Sequence, residues 1–348
     1  MHKHKGDFKS ELFKMERSVS TLSVRNAASI DDLKSVHFWK SIVAELIGTL
    51  LLVFVGCGSC VSWEDPNRIP KSDYNPVVQI AFCFGISVAT VVWGIGHVSG
   101  GHINPAVTSA FLVTRRISLA RALFYVAAQC CGAILGAVIL KAVVPSQRWG
   151  SLGNTMLHAE MTGGGAFGVE FMITFVLVFT VFASCDGKRG DLRGSAPLTI
   201  GLSVAMCHFF AIPLTGSSMN SARSFGPAVA MGIWEYHWVY WIGPIFGGVV
   251  AGLVYEYVFA ANASMRKAKQ FLLSSKYEAE DFPVQEEQVN ILYDEVKDET
   301  KEYVNIHEKE SELLVPKNVL TSLDSIPRRS HTCSFVVDVQ NNERLNNT

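Results

Sequence analysis

The chain has 348 residues, 49% of them hydrophobic and 18% charged, with a formal net charge of -1. An average soluble domain carries about 25% charged residues, and here the charges gather before residue 40 and after residue 265. With a mean hydropathy of +0.24, that distribution excludes a nucleic-acid binder, which needs a basic patch. It also argues against a large soluble enzyme and points to a polytopic, all-α membrane protein.

In chain order, residues 1–37 are charged and Ser-rich and read as a disordered tail without a cleavable signal peptide. A membrane-spanning helix needs about 20 mostly apolar residues to cross a hydrocarbon core of about 30 Å. Six stretches meet that need: 38–61, 76–98, 117–144, 166–184, 196–214 and 236–260. The first ends in LLVFVGCGSCV, where Cys57 and Cys60 form a CxxC. In a soluble thioredoxin-like setting this spacing suggests redox chemistry. Inside an apolar run it reads as small packing residues, and the eight Cys of the chain form no visible disulfide framework. GxxxG spacings at Gly132–Gly136 and Gly248–Gly252 predict close helix–helix approach, because lipid supplies no hydrophobic drive for association and packing must do so.

Basic residues set the orientation. Arg115, Arg116 and Arg121, then Lys188, Arg189 and Arg193, then Arg266, Lys267 and Lys269 fall on one side when the spans are counted in order. The N-terminal lysines share that side. Both termini are therefore expected in the cytoplasm, in a protein of the plasma membrane, and the sequon at Asn262 is expected to stay unmodified. Residues 261–348 read as a second cytoplasmic tail, acidic over 278–312 and mostly disordered, with a short helix near 285–296. Ser18, Ser20 and Ser330 lie near arginines, which makes the tails candidate sites for kinases or cytoplasmic partners.

The span region 38–260 repeats itself, with halves at about 38–144 and 166–260. Gly85-Ile86-Ser87-Val88-Ala89 returns as Gly201-Leu202-Ser203-Val204-Ala205, and Asn104 returns as Asn220, both pairs 116 residues apart. AELIGTLLLVF (44–54) echoes VEFMITFVLVF (169–179), each with one carboxylate, Glu45 and Glu170. A lipid-facing carboxylate is expensive, so both are expected to point inward. Three spans per half turn the second half upside down, the inverted repeat of transport proteins, whose working site lies at the repeat interface near the midplane. Each half also holds a segment too short to span, 104–113 and 220–230. Asn is a strong N-cap and Pro105 suits the first helical turn. Two re-entrant half-helices meeting at their N-termini are predicted, with free carbonyls of Gly100, Gly101, His102, Ile103, Gly216, Ser218 and Met219 as an acceptor ladder along a narrow pore.

HINPAV, GLSVA, the second Asn box followed by ARSFGPA, and HWVYWIGP (237–244) together resemble the aquaporin family. The resemblance implies six tilted helices plus two half-helices, a homotetramer with one pore per subunit, and passive water conduction with no cofactor. It implies that the boxes Asn104-Pro105-Ala106 and Asn220-Ser221-Ala222 orient passing water, so that the wire of protons is broken. It implies a selectivity constriction of Phe84, His208, Ser217 and Arg223, in which Arg223 and His208 donate hydrogen bonds and Phe84 limits the width. The resemblance also gives Glu45 and Glu170 a structural role towards the loop backbone beside the boxes.

His208, Ser224 after the arginine, Ala228, Tyr240 and Trp241 look like the water-selective branch rather than the glycerol-conducting one. The second box departs from the family pattern, with Ser221 where Pro is usual. Ser adds an N–H and a hydroxyl near the narrowest point and leaves proton and cation exclusion open. The rival readings are therefore a channel that also passes glycerol, small solutes or ions, and a junctional or signalling protein with an incidental pore. A secondary transporter would want coupling carboxylates, and the family match gives Glu45 and Glu170 other work.

Overall fold

The computed structural model describes residues 33–63, 76–189 and 194–274. The expected helix near 285–296 and the serines at 18, 20 and 330 lie outside the described residues. Among the described residues the regular elements are helices: α1 (Val36–Gly58), α2 (Val77–Ser99), α3 (Pro105–Val113), α4 (Leu119–Val143), α5 (Gly163–Ser184), α6 (Ala196–Thr215), α7 (Ser221–Met231), α8 (Val239–Val254) and α9 (Met265–Leu273), with short turns of other pitch at Ser146–Arg148 and Tyr255–Phe259. The turn at Tyr255–Phe259 extends α8, giving six helices long and apolar enough to cross a membrane. The half-helices α3 and α7 have 9 and 11 residues. At 1.5 Å per residue each covers only about 15 Å, half of a hydrocarbon core.

Local chemistry sets the ends. Ser118 and Thr162 cap α4 and α5 by accepting from backbone N–H groups three residues on, which satisfies donors that a helix start leaves free. The first span stops at Gly58, short of the predicted 61, and the last starts at Val239 rather than 236. Tyr236 has a φ of +48°, a left-handed conformation that a right-handed helix does not continue through.

The repeat is visible in the packing. Helix α1 lies against α4 and α2, and α5 lies against α8 and α6. Helix α2 crosses α6 between the halves, while α3 packs on α8 and α7 on α4. Each half-helix thus rests on the last span of the opposite half. The crossing of α2 and α6 is set by the leading glycines of the repeated motif: a Cβ on Gly85 would meet the carbonyl of Gly201, and one on Gly201 the carbonyl of Gly85. Gly132 and Gly136 let α4 reach the backbone of α1 at Leu46 and Leu50. In the last span Gly243 and Gly247 make the equivalent approach to α5. The predicted pair Gly248 and Gly252 instead faces α3 at Ala106 and Ala110.

Where the second tail was expected from 261, the chain forms α9, fastened to the channel by charge. Glu256 accepts from Arg116 Nε and Nη2 at 3.0 and 2.7 Å, and Lys267 Nζ lies 2.5 Å from its other oxygen. Lys267 also donates to Asn262 Oδ1 at 2.6 Å. The asparagine of the sequon is therefore buried in an ion network. Burial pushes the Lys267 ammonium down from its ordinary range, and the Glu256 carboxylate opposes that shift. Glu256 is a third fully buried carboxylate that the sequence reading did not single out.

Gly201→Val is expected to cost about 1–3 kcal/mol through overpacking of the α2–α6 crossing. Gly94 has open space around it, so Gly94→Ala should stabilise by up to about 1 kcal/mol. Thermal melts of the two purified variants, followed by size-exclusion chromatography, check the opposite signs.

Candidate functional site

The two segments that lead into the half-helices turn back inside the bundle and leave N–H groups with no helical partner. Burying an unsatisfied polar group costs free energy, and one carboxylate per half removes that cost. Glu45 Oε1 accepts from Ser99 Oγ at 2.7 Å and His102 N at 2.9 Å. Its Oε2 accepts from Ile103 N at 2.6 Å and Gln129 Nε2 at 2.8 Å. Glu170 Oε1 accepts from Thr215 Oγ1 at 2.7 Å and Ser218 N at 2.9 Å, and its Oε2 from Met219 N at 2.9 Å. Both carboxylates are fully buried. Tyr125 and Tyr240 repeat the symmetry, each donating to the carbonyl of Ser99 or Thr215 at 2.8 and 2.9 Å.

These anchors hold the backbone in a conformation that L-residues resist. Gly100 and Gly216 end α2 and α6 with φ of +86° and +75°, and Ile103 and Met219 follow at +43° and +50°. A non-glycine residue in such a region costs on the order of 1–3 kcal/mol and persists only where its surroundings impose it. At the intermediate position the first half has Gly101 and the second has Ser217, with φ of +63° and +54°.

The Asn boxes then close on each other. Asn104 and Asn220 cap α3 and α7: Oδ1 of Asn104 accepts from Ala106 N, and that of Asn220 from Ala222 N and Arg223 N. Asn104 Nδ2 donates to Met219 O and Asn220 Nδ2 to Ile103 O, both at 2.8 Å. An amide nitrogen has two hydrogens, so the clasp uses one and leaves the other. The expected ladder is modified accordingly, because the carbonyls of Ile103 and Met219 each already accept one bond. Pro105 and Ala106 are buried at the start of α3, as are Ser221 and Ala222 at the start of α7.

A cavity of about 460 Å³ leads to the clasp, and Phe84, Gly100, Gly101, His102, Ile103, Asn104, His208, Ser218, Met219, Asn220 and Arg223 are in its wall. Gly216 and Ser217 are not part of that wall, and a Cβ on Gly216 would meet Thr155 and Met156. At the far side of the clasp three of the four predicted constriction residues meet. The Phe84 and His208 rings stack with centroids 4.7 Å apart, and the Arg223 guanidinium lies 4.6 Å from the centre of the Phe84 ring, a favourable cation–π geometry. Ser217 is fully buried and its hydroxyl has no hydrogen-bond partner.

His208 has a backbone partner one turn back on its own helix. Its Nδ1 lies 3.0 Å from Val204 O, a carbonyl that only accepts, so the contact is a hydrogen bond when Nδ1 carries the proton. A neutral ring protonated there would present Nε2 as an acceptor. That Nε2 is buried without a partner, as is the Nε–H of Arg223. Two polar atoms at this group are thus left without a hydrogen-bond partner.

Several contributors escaped the sequence reading. Gly153 O accepts from Arg223 Nη1 at 2.7 Å, so the connection between α4 and α5 folds back onto the site. Thr155 Oγ1 donates to Ser224 Oγ at 2.9 Å, and Ser224 Oγ lies 2.6 Å from Ser218 Oγ. Gln129 bridges Glu45 and Thr108. The polarity of Gln129 inside a span was a usable signal, whereas a backbone carbonyl leaves none.

Known proteins resemble this chain in sequence and in fold. The family described as Major intrinsic protein matches residues 32–255. Aquaporin-4 of Homo sapiens is 54% identical over 230 residues, covering 66% of this chain and 70% of that protein. Aquaporin-2 of Bos taurus is 47% identical over 227 residues, covering 65% of this chain and 81% of that one. The solved X-ray structure of the aquaglyceroporin from Plasmodium falciparum shares the fold, with a TM-score of 0.55 at 21% identity over 64% of this chain and 96% of its own.

Glu45→Gln is expected to destabilise more than Glu170→Gln. Either oxygen of Glu45 faces two donors, whereas Oε2 of Glu170 faces one. An amide NH2 opposed to a donor leaves it unsatisfied at about 1–3 kcal/mol each. Melting midpoints of the purified variants in one detergent give the order.

Proposed function

The chain belongs to the major intrinsic protein family, a family of channels rather than enzymes, and from that premise we propose that it is a passive water channel driven by osmotic gradients. The observation that carries this reading is the convergence of two half-helix N-termini, two Asn side chains and the Phe84–His208–Arg223 group along one path.

On this reading water crosses in single file. At the clasp, the remaining N–H of Asn104 and of Asn220 donates to the water oxygen. Each half-helix adds about half a positive charge at its N-terminus, so the water turns its hydrogens outward in both directions and the proton wire is interrupted. At the constriction a water accepts from Arg223 and donates to His208 Nε2, which replaces the hydration it lost, while Phe84 limits the width. Glycerol is too broad for that opening. The protein works as a homotetramer in the plasma membrane with both termini cytoplasmic, where kinases or other partners act on the tails.

Osmotic shrinkage of proteoliposomes by stopped flow, with glycerol and proton flux followed in the same vesicles, tests the reading. Fast water flow of low activation energy without glycerol or proton leak is expected. Glycerol or ion flux would favour the broader channel that Ser221 left open, and flow no faster than in empty vesicles would favour the junctional or signalling reading. Arg223→Val is expected to raise glycerol flux about tenfold, the equivalent of about 1.4 kcal/mol of barrier.

Ser221 itself is buried, its hydroxyl has no partner and it is absent from the cavity wall. It occupies the first helical position, where Pro105 stands in the other half and where a missing N–H costs nothing. Ser221→Pro is therefore expected to stabilise by about 0.4–1 kcal/mol through the unfolded chain, measured as a raised melting midpoint.

A further inference from the structure

Arg223 is braced by a side chain that neither the motif nor the constriction accounts for. Its Nη1 lies 3.4 Å from Cys57 Sγ and 2.7 Å from Gly153 O. The Cys57 thiol in turn is 3.8 Å from that same carbonyl, as donor. The three groups form a closed triangle in which Nη1 gives to sulfur and oxygen while the thiol gives to oxygen. Cys57 is fully buried and lies in the last turn of α1.

Size matters as much as sulfur. Gly153 has a φ of +71°, and a Cβ there would come within 2.7 Å of Cys57 Cβ and 2.8 Å of Cys57 Cα. The connection between α4 and α5 is thus pressed onto the end of α1 with no space between them, and this contact brings Gly153 O within reach of Arg223. The preceding residue does the same for the opposite wall: a Cβ on Gly56 would strike the Phe84 ring at 2.5 Å. The pair Gly56-Cys57 therefore supports both Phe84 and Arg223 from behind.

We propose that Cys57 is a positioning residue of the constriction, holding the Arg223 guanidinium over the Phe84 ring through the triangle with Gly153 and so setting the solute cutoff. This rests on the reading of Phe84, His208 and Arg223 as the selectivity constriction. The guanidinium has other partners, so Cys57 fixes its position rather than its charge. A larger side chain at 57 lifts Gly153 away and removes the stronger of the two bonds as well. A smaller side chain without a polar atom loosens Nη1 on one side only.

The test uses the full chain with Cys57→Ser, Cys57→Ala and Cys57→Leu, each checked for a monodisperse size-exclusion profile. Two readouts are taken: the water-to-glycerol permeability ratio in proteoliposomes, and the rate at which an arginine-selective dicarbonyl reagent modifies Arg223, followed by mass spectrometry. Cys57→Ser keeps size and hydrogen bonding and should match the parent in both. Cys57→Ala should be modified about tenfold faster, as for loss of one bond to a charged group, with a lowered permeability ratio. Cys57→Leu should exceed it, and Gly153→Ala should follow Cys57→Leu. Equal modification rates in all variants would overturn the proposal, as would Cys57→Ser behaving like Cys57→Ala. A parent protein that does not conduct water would refute the water-channel reading, and the modification rates would still decide whether Cys57 braces Arg223.

Discussion

A chain that reverses direction inside a membrane must satisfy its backbone there, and in this protein two carboxylates do it. Glu45 and Glu170 each accept the N–H groups of the two residues before an Asn box. Water is not available at that depth to replace these bonds, and open backbone is tolerated only where protein satisfies it. Everything functional is downstream of this constraint. It holds Ile103 and Met219 at positive φ, which aims their carbonyls at the opposite Asn, which locks the two half-helix N-termini together. A carboxylate suits the task because it only accepts, with capacity for several donors. Its own burial is offset by those charge-assisted bonds.

The two halves share a scaffold and differ where chemistry is needed. Ser99 and Thr215, His102 and Ser218, Tyr125 and Tyr240 play matched parts around the carboxylates. Symmetry ends at Gln129, which gives Glu45 a fourth donor, and at Arg223, whose place in the first half is held by Val107. Only the second half therefore places a cation in the cavity wall. The connection at 144–162 answers that asymmetry: Leu152 is buried and Gly153 turns its carbonyl to the arginine. An arginine so deep needs partners of this kind, because a charge left unpaired in an apolar interior is costly.

The spans were legible because apolar runs of their length have few other uses, and the half-helices because Asn followed by a helix-starting residue marks an N-terminus even in a hydrophobic context. The repeat supplied the rest of the architecture, since three spans per half impose inversion. What escaped has a common cause. Gly153 acts through its backbone, and its surroundings, RWGSLGNT at 148–155, have the composition of a solvent-facing turn. Cys57 was hidden by sitting in an apolar run, where a small residue reads as packing. Glu256 lay at a span end, where a charge reads as interfacial, yet it is fully buried between Arg116 and Lys267. His208 was found by type and place, but the contact of its ring with Val204 O, one turn away, is encoded in no motif.

Charge along the path bears on what the channel excludes. Among the described residues in the cavity wall, Arg223 is the only Arg, Lys, Asp or Glu. The half-helix N-termini add positive potential at the clasp, and no carboxylate faces the cavity to offset either. The same wall holds the acceptor residues Gly100, Gly101 and His102, so its polarity is mixed. An anion would meet a favourable potential but also the stacked Phe84 and His208 rings, which leave a wall of low polarity beside the guanidinium. The one hydroxyl that departs from the family pattern in the second box lies off this cavity wall. Ser221 is buried at the start of α7, and its neighbour Asn220 faces the cavity in its stead. The departure from proline thus alters the stiffness of the helix start more than the surface that a passing molecule meets.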